Sequence, residues 1–324
     1  AIALLNEVSE DQDLLISISV DSLYFTNIAK LRALRFILES VQEKKNIKSF
    51  KIQATSSLRE QTVFDPWMNM LRNTTSTAAA IIGGADIIKT IGYDKIATNF
   101  GLQHESDLSL RQAKNVYHIL TEESFLTKVK DPAKGSYSIE KLTQDLIYQS
   151  FEYFKEKEKS LGFWKTIDKI ADEVEGIARK RKSELAFQKK QIAGINNYSN
   201  TEDDLLKLYK TEIELIEEQT LFPLRRISFE FEALRLRVKN LDFRPLIYVY
   251  GNEANLSARI MFCLNFIEIL GKKAEVTFYT DNQIIPEANI VILCSEDDLY
   301  GGVFAKDKNR KQKNSYCWER SFKR

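Results

Sequence analysis

The chain has 324 residues, enough for about two domains at roughly 100–200 residues each. Hydrophobic residues make up 44% and charged residues 29%, the composition of an ordinary soluble globular protein. A net charge of +1 gives no overall pull toward nucleic acid or an anionic membrane, and the longest apolar runs, such as 78–82, fall far short of the ~20 residues that a membrane span needs.

The opening residues carry neither a basic n-region nor a cleavage pattern, so no leader is expected there, and without an initiator methionine the chain reads as a fragment or a processed form. Residues 14–20, LLISISV, form a short apolar run suited to a buried parallel strand. Asp21 and Ser22 then offer capping oxygens, and Tyr24, Ile28, Leu31, Leu34, Leu38 and Val41 follow at helical spacing. Residues 50–54 are a second strand. Asp65 and Pro66 open a helix expected to reach Ile82 and to stop at Gly83 and Gly84. Small residues from Thr74 to Ala80 suit that helix to close packing on a sheet. Residues 87–91 read as a weaker third strand, and 108–120 and 138–159 as helices. Strand and helix alternate, which predicts a parallel α/β sheet, open or closed into a barrel. Three strands cannot close an eight-stranded barrel, so a barrel could be present only as its second half.

Residues 161–242 read as an almost wholly helical connector. A helix over 203–222 ends at Pro223, and the arginine- and glutamate-rich stretch 224–239 continues it with a charged face expected to be solvated. Residues 243–305 return to α/β, with strands at 246–250, 274–280 and 290–294 and a helix at 256–270. The turn 251–255 lies where parallel sheets place ligands. It is neither a GxGxxG nor a P-loop, which argues against a nucleotide and leaves a phosphate at the helix N-terminus as the generic reading. A flavodoxin-like domain needs about five strands, and only three are legible. Residues 306–324 read as a basic polar tail, with a phosphate-binding arm as the minor alternative.

Cys263, Cys294 and Cys317 are odd in number and lack CxxC spacing, which points to free thiols in a reducing compartment, here taken as the cytoplasm. His104 and His118 are the two histidines, which excludes a His-rich metal site and leaves a Ser-His-Asp triad only these to use. Each reads as a surface or packing residue.

Five segments share one further property. They are 24–35, YFTNIAKLRALR; 69–84, NMLRNTTSTAAAIIGG; 109–124, SLRQAKNVYHILTEES; 131–143, DPAKGSYSIEKLT; and 194–198, GINNY. In order and approximate spacing they resemble the methylmalonyl-CoA mutase family across residues 15–200, with Lys134 standing where the family pattern has glycine. The residue chemistry agrees with a scaffold role: Gly135 permits a positive φ, and Asp131 before Pro132 is held extended ahead of a turn. The resemblance implies a (β/α)8 barrel that threads an acyl-CoA, a helical connector and a flavodoxin-like cobalamin domain. The implied reaction is the radical interconversion of (R)-methylmalonyl-CoA and succinyl-CoA, with the radical supplied by the cofactor. On that reading 1–160 is the second half of the barrel, 161–242 the connector and 243–305 an incomplete, degenerate cobalamin-binding-like domain, followed by the tail.

Two departures from the family pattern shape the expected role. Where catalytic members carry H-x-Q-T-S-G on a late barrel strand, this chain has Gln53 for the histidine, Thr55 for the glutamine and Leu58 for the glycine. Where cobalamin-binding members carry D-x-H-x-x-G, with the aspartate orienting the cobalt-ligating histidine, this chain has Glu253, Asn255 and Ala258, and no histidine follows His118. No catalytic, cofactor-binding or metal-ligating residue is therefore expected. The chain resembles the small subunit of a heterodimeric mutase, and 226–235, RISFEFEALR, is similar to small-subunit connectors. Adenosylcobalamin and acyl-CoA would then belong to the complex through a large catalytic subunit, with no nucleic-acid or membrane partner. The alternatives are a competent mutase fragment and an accessory subunit of a related acyl-CoA mutase.

Overall fold

The structure is a computed structural model that describes residues 13–45, 47–96, 106–160, 162–201, 226–279, 288, 290–297 and 299. The chain divides into two compact units, Ala1–Ser183 with Glu214–Ser228, and Glu184–Ile213 with Phe229–Arg324.

The first unit begins with β1 (Asp13–Val20), α1 (Tyr24–Lys45), β2 (Ser49–Ser56), α2 (Trp67–Ile82), β3 (Ile87–Lys89) and α3 (Asp107–His118). The strands form a parallel sheet in the order β1-β2-β3, with Ile18 beside Ala54 and Ala54 beside Ile88. The helices cover one face. Val20, Ile52 and Ala54 pack there against Ile28, Leu31 and Leu38 of α1 and Ala79 and Ala80 of α2, so the predicted small-residue contact of α2 is present. The other face is open: Leu15 is 57% exposed, and Ser17, Ser19, Gln53 and Thr55 are not buried. Parallel sheets normally bury both faces.

Local chemistry sets the ends of these elements. Asp21 makes the turn into α1, its Oδ1 accepting from the Leu23 N–H at 3.1 Å and the Asn27 amide at 2.6 Å. The Ser22 N–H instead donates to Glu60 at 2.8 Å, so the capping oxygen is that of Asp21. Gly84 ends α2 at a φ of +79°, and Gly83 is needed for a different reason: a Cβ there would lie 2.8 Å from the Leu31 methyl. α3 runs on into a π turn, Ile119–Glu123, where a continuous helix to residue 120 was expected. α4 (Tyr137–Ser160) packs on α1, pinned by Arg32, which donates to Asp131 at 3.0 Å and Glu140 at 2.8 Å. Gly135 has the expected positive φ, +85°, and its N–H also reaches Glu140. A short 3-10 turn, Trp164–Thr166, leads to α5 (Ile167–Ala186).

The almost wholly helical reading of 161–242 needs correction over 187–201. Residues 187–201 are turns, because Asn196 takes over their backbone groups: its amide donates to the Leu185 and Lys190 carbonyls and its oxygen accepts from Ile192. The helix expected at 203–222 lies outside the described residues. α6 (Phe229–Val238) follows, and its charged residues divide between two faces: Glu230 and Arg237 are exposed, as expected, whereas Glu232 is 1% and Arg235 3% exposed. Arg235 is buried because its guanidinium donates to the Asn200 carbonyl and lies against Gly271, where the missing Cβ leaves room.

The second unit's sheet holds β4 (Pro245–Tyr250), β5 (Glu275–Phe278) and β6 (Ile290–Ser295), all parallel in the order β5-β4-β6. α7 (Glu253–Glu268) joins β4 to β5 and lays Leu256 and Ile260 on Ile247 and Val249. The tail from 306 lies outside the described residues.

Candidate functional site

In the first unit the strands point their C-terminal ends at one cluster of charges. Asp21 follows β1, while Arg59 and Glu60 follow β2; Arg59 donates to Asp21 at 2.9 Å, and Glu60, 4% exposed, holds the Ser22 N–H. Lys30 reaches back from α1 to the Ser19 carbonyl at 2.8 Å. Burial opposes ionisation of Asp21, but Asn27, the Leu23 N–H, Lys30 and Arg59 outweigh it and hold the carboxyl below the usual carboxylate range. Burial pushes the Lys30 amine down, against the pull of Asp21 and Glu60. The next turn is fixed from α2. Asn69 donates to the Thr62 and Tyr93 carbonyls and accepts from the Thr62 N–H, and Asn73 donates to the Ile91 carbonyl, each donor bond at 2.8 Å. These contacts tie the loop after β2 to the loop after β3.

Gln53 and Thr55 sit side by side on the open face of β2. Among the described residues the Gln53 amide makes long contacts, 3.3 Å to the Ser17 hydroxyl and 3.4 Å to that of Thr55. Leu58 lies two residues beyond the strand, and its carbonyl accepts from the Gln61 N–H. A neutral amide and a hydroxyl can hold a substrate, but neither accepts a proton near neutral pH as an imidazole does.

In the second unit the chain leaves β4 toward β5 on one side and returns as β6 on the other, so the topological switch lies between β4 and β6. Their ends are stitched: the Ser295 hydroxyl donates to the Tyr250 carbonyl at 2.7 Å. Gly251, at a φ of +133°, turns the chain into α7, which Asn252 caps by accepting from the Ala254 N–H. Asn255 leans across the switch and donates to Glu296 at 2.9 Å. Arg259, one turn further, donates to the Ser295 carbonyl and to Asp297. Glu253 and Ala258 are exposed on the same helix. Sequence reading missed Glu296, because its bond to Asn255 joins residues 41 positions apart.

Among the described residues no group of three or more histidine, cysteine, aspartate and glutamate side chains is placed to hold a metal ion, and no helix is long and apolar enough to cross a membrane. His118, exposed at the end of α3, packs its ring edge-on to Tyr117; His104 lies outside the described residues.

The family profile described as methylmalonyl-CoA mutase matches residues 12–231. The small subunit of that mutase from Porphyromonas gingivalis is 32% identical over 303 residues, covering 87% of this chain and 48% of its own length. A probable small subunit from Mycobacterium tuberculosis is 29% identical, covering 87% of this chain and 47% of its own length. The mutase of Escherichia coli K12 is 29% identical over 63% of this chain. The chain thus spans about half the length of the small subunits it matches.

Proposed function

This chain belongs to the methylmalonyl-CoA mutase family, and from that premise we propose that it is the small, non-catalytic member of a two-subunit cytoplasmic mutase. Its partner is a large subunit that carries adenosylcobalamin and the acyl-CoA, and the complex interconverts methylmalonyl-CoA and succinyl-CoA. The names of the relatives support the subunit class. The observation that carries the non-catalytic reading is the state of residue 255. In the cobalamin-binding pattern an imidazole at this position would hold the cobalt, whereas here an amide spans the β4–β6 switch to Glu296. An amide nitrogen has no lone pair to give a metal, and no imidazole follows residue 118. The switch residues therefore do not fit the cofactor, and this chain takes no step through it.

The first unit supports the same reading. Gln53, Thr55 and Leu58 offer no imidazole to the substrate, and Leu58 adds bulk where the family pattern has glycine. The uncovered face of β1-β2-β3 and its two edge strands suit the second half of a (β/α)8 barrel over 1–160, completed by further strands. Residues 161–242 are then the connector and 243–305 the degenerate, incomplete cobalamin-type domain. The role left to the chain is to stabilise the large subunit across an extensive interface. Separately purified subunits test this. Mutase activity of the large subunit is expected to rise on titration with this chain and to saturate at a fixed stoichiometry. Full activity of the large subunit alone would exclude a required partner role.

A further inference from the structure

Open parallel sheets leave a ligand crevice where the connections diverge beyond the strand ends, which in the second unit is the β4–β6 switch. Here the chain's own side chains fill that place. Gly251, the first residue after β4, has a φ of +133°, and a Cβ built on it would lie 3.2 Å from a Leu256 methyl and 3.7 Å from both the Glu296 Cγ and a Leu299 methyl. Leu256 comes from α7 and is 1% exposed, whereas Glu296 and Leu299 come from the chain beyond β6. That chain turns back after the strand, the Leu299 N–H donating to the Glu296 carbonyl at 3.0 Å. Three side chains from two directions therefore converge on one glycine at the strand end.

α7 grips the returning chain at two points one helical turn apart. The Asn255 amide donates to the Glu296 carboxylate at 2.9 Å. The Arg259 guanidinium donates to the Ser295 carbonyl and, at 2.7 Å, to Asp297. Asp297 is 81% exposed, so that ion pair is screened and adds little. Ser295 is 1% exposed, and the bond to its carbonyl is the one that fixes the guanidinium. The Ser295 hydroxyl in turn donates to the Tyr250 carbonyl and joins the two strand ends beneath the turn.

We propose that Glu296 and Leu299 form a plug that closes the β4–β6 crevice to ligands, held shut by Asn255 and Arg259 of α7. The plug is a second barrier to a corrin, separate from the missing imidazole. A group that engages residue 255 competes with Glu296, and one that lies over Gly251 displaces Leu299. The contacts that join α7 to the end of β6 are internal, so the unit draws no stability from a ligand at this position.

The choice of a corrin as probe rests on the mutase reading; the closure itself does not, and two measurements on the full chain separate them. Asn255→His returns an imidazole while Arg259 and Leu299 stay in place. Incubated with hydroxocobalamin and desalted, this variant is expected to emerge colourless. Retention of corrin by it overturns the plug and leaves the reading of the unsubstituted chain as it stands. Amide hydrogen exchange resolved at Leu299 by NMR tests the grip of α7. That N–H bonds to a backbone carbonyl, so a side-chain change on α7 reaches it only through the plug. In the unsubstituted chain it is expected to exchange at least about tenfold more slowly than an unstructured amide. Asn255→Ala combined with Arg259→Ala should return it to the unstructured rate, while the amides of Ile247 and Val249 in β4 stay protected. An unprotected Leu299 amide in the unsubstituted chain, or equal protection in both proteins, overturns the proposal. The exchange of the unsubstituted chain decides this even where the double variant fails to fold.

Discussion

Residue by residue, the polar side chains that hold the first unit's loops are the most exposed to test. Asn69 is fully buried and satisfies two carbonyls and one N–H. Asn69→Ala removes these three buried hydrogen bonds and is expected to cost about 3 kcal/mol, read as a lower urea midpoint at unchanged slope. Asp21 makes a pH prediction whose sign follows from its lowered carboxyl. A group lowered in the folded state adds stability above its unfolded pKa and loses it as pH falls through the folded value. Stability of the chain should therefore fall on acidification below about pH 4, and by less in Asp21→Asn; equal acid sensitivity in both proteins would remove Asp21 as a cause. The proposed departures at Gln53, Thr55, Leu58 and Asn255 are readable from sequence alone because each is a matter of which side chain stands in a short pattern. Glu296 could not, since nothing local marks it as the partner of Asn255. Burial of Glu232 and Arg235 was also illegible: a charged helix face is solvated unless distant groups accept it, and for Arg235 the Asn200 carbonyl and the space at Gly271 do so here.

Among the elements, two glycines carry opposite predictions. Gly83 ends α2 against Leu31, and an added Cβ would come within 2.9 Å of both the Leu31 side chain and the Ala79 carbonyl. Gly83→Ala is expected to destabilise by about 1–3 kcal/mol through overpacking. Gly176 lies inside α5 with nothing within 4 Å of the place a Cβ would take, so Gly176→Ala should stabilise by up to about 1 kcal/mol. Thermal melts of the two variants should move in opposite directions. The sequence revealed the strands and long helices because short apolar runs and period-3.6 patterns are strong there: β1, β2, α1 and α4 fall within a few residues of their expected spans. It misread 187–201 as helix because the fold of that stretch is governed by one residue, Asn196, and by left-handed turns at Gly194 and Tyr198, not by any repeating apolar face. The π turn after α3 was equally hidden, since it changes the backbone register without changing the hydrophobic pattern.

At the level of the molecule, a three-stranded sheet with one bare face and a three-stranded switch-point unit are what this chain brings to a family whose matched small subunits are about twice as long. On the proposed role both units support a large subunit, and the corrin is held elsewhere in the complex. The purified chain should be incubated with excess adenosylcobalamin, passed through a desalting column and examined by visible absorption. A colourless protein fraction is expected, with all corrin absorbance in the small-molecule fraction. Retention of one cobalamin per chain through the column, with mutase turnover by that fraction alone, would contradict the claim.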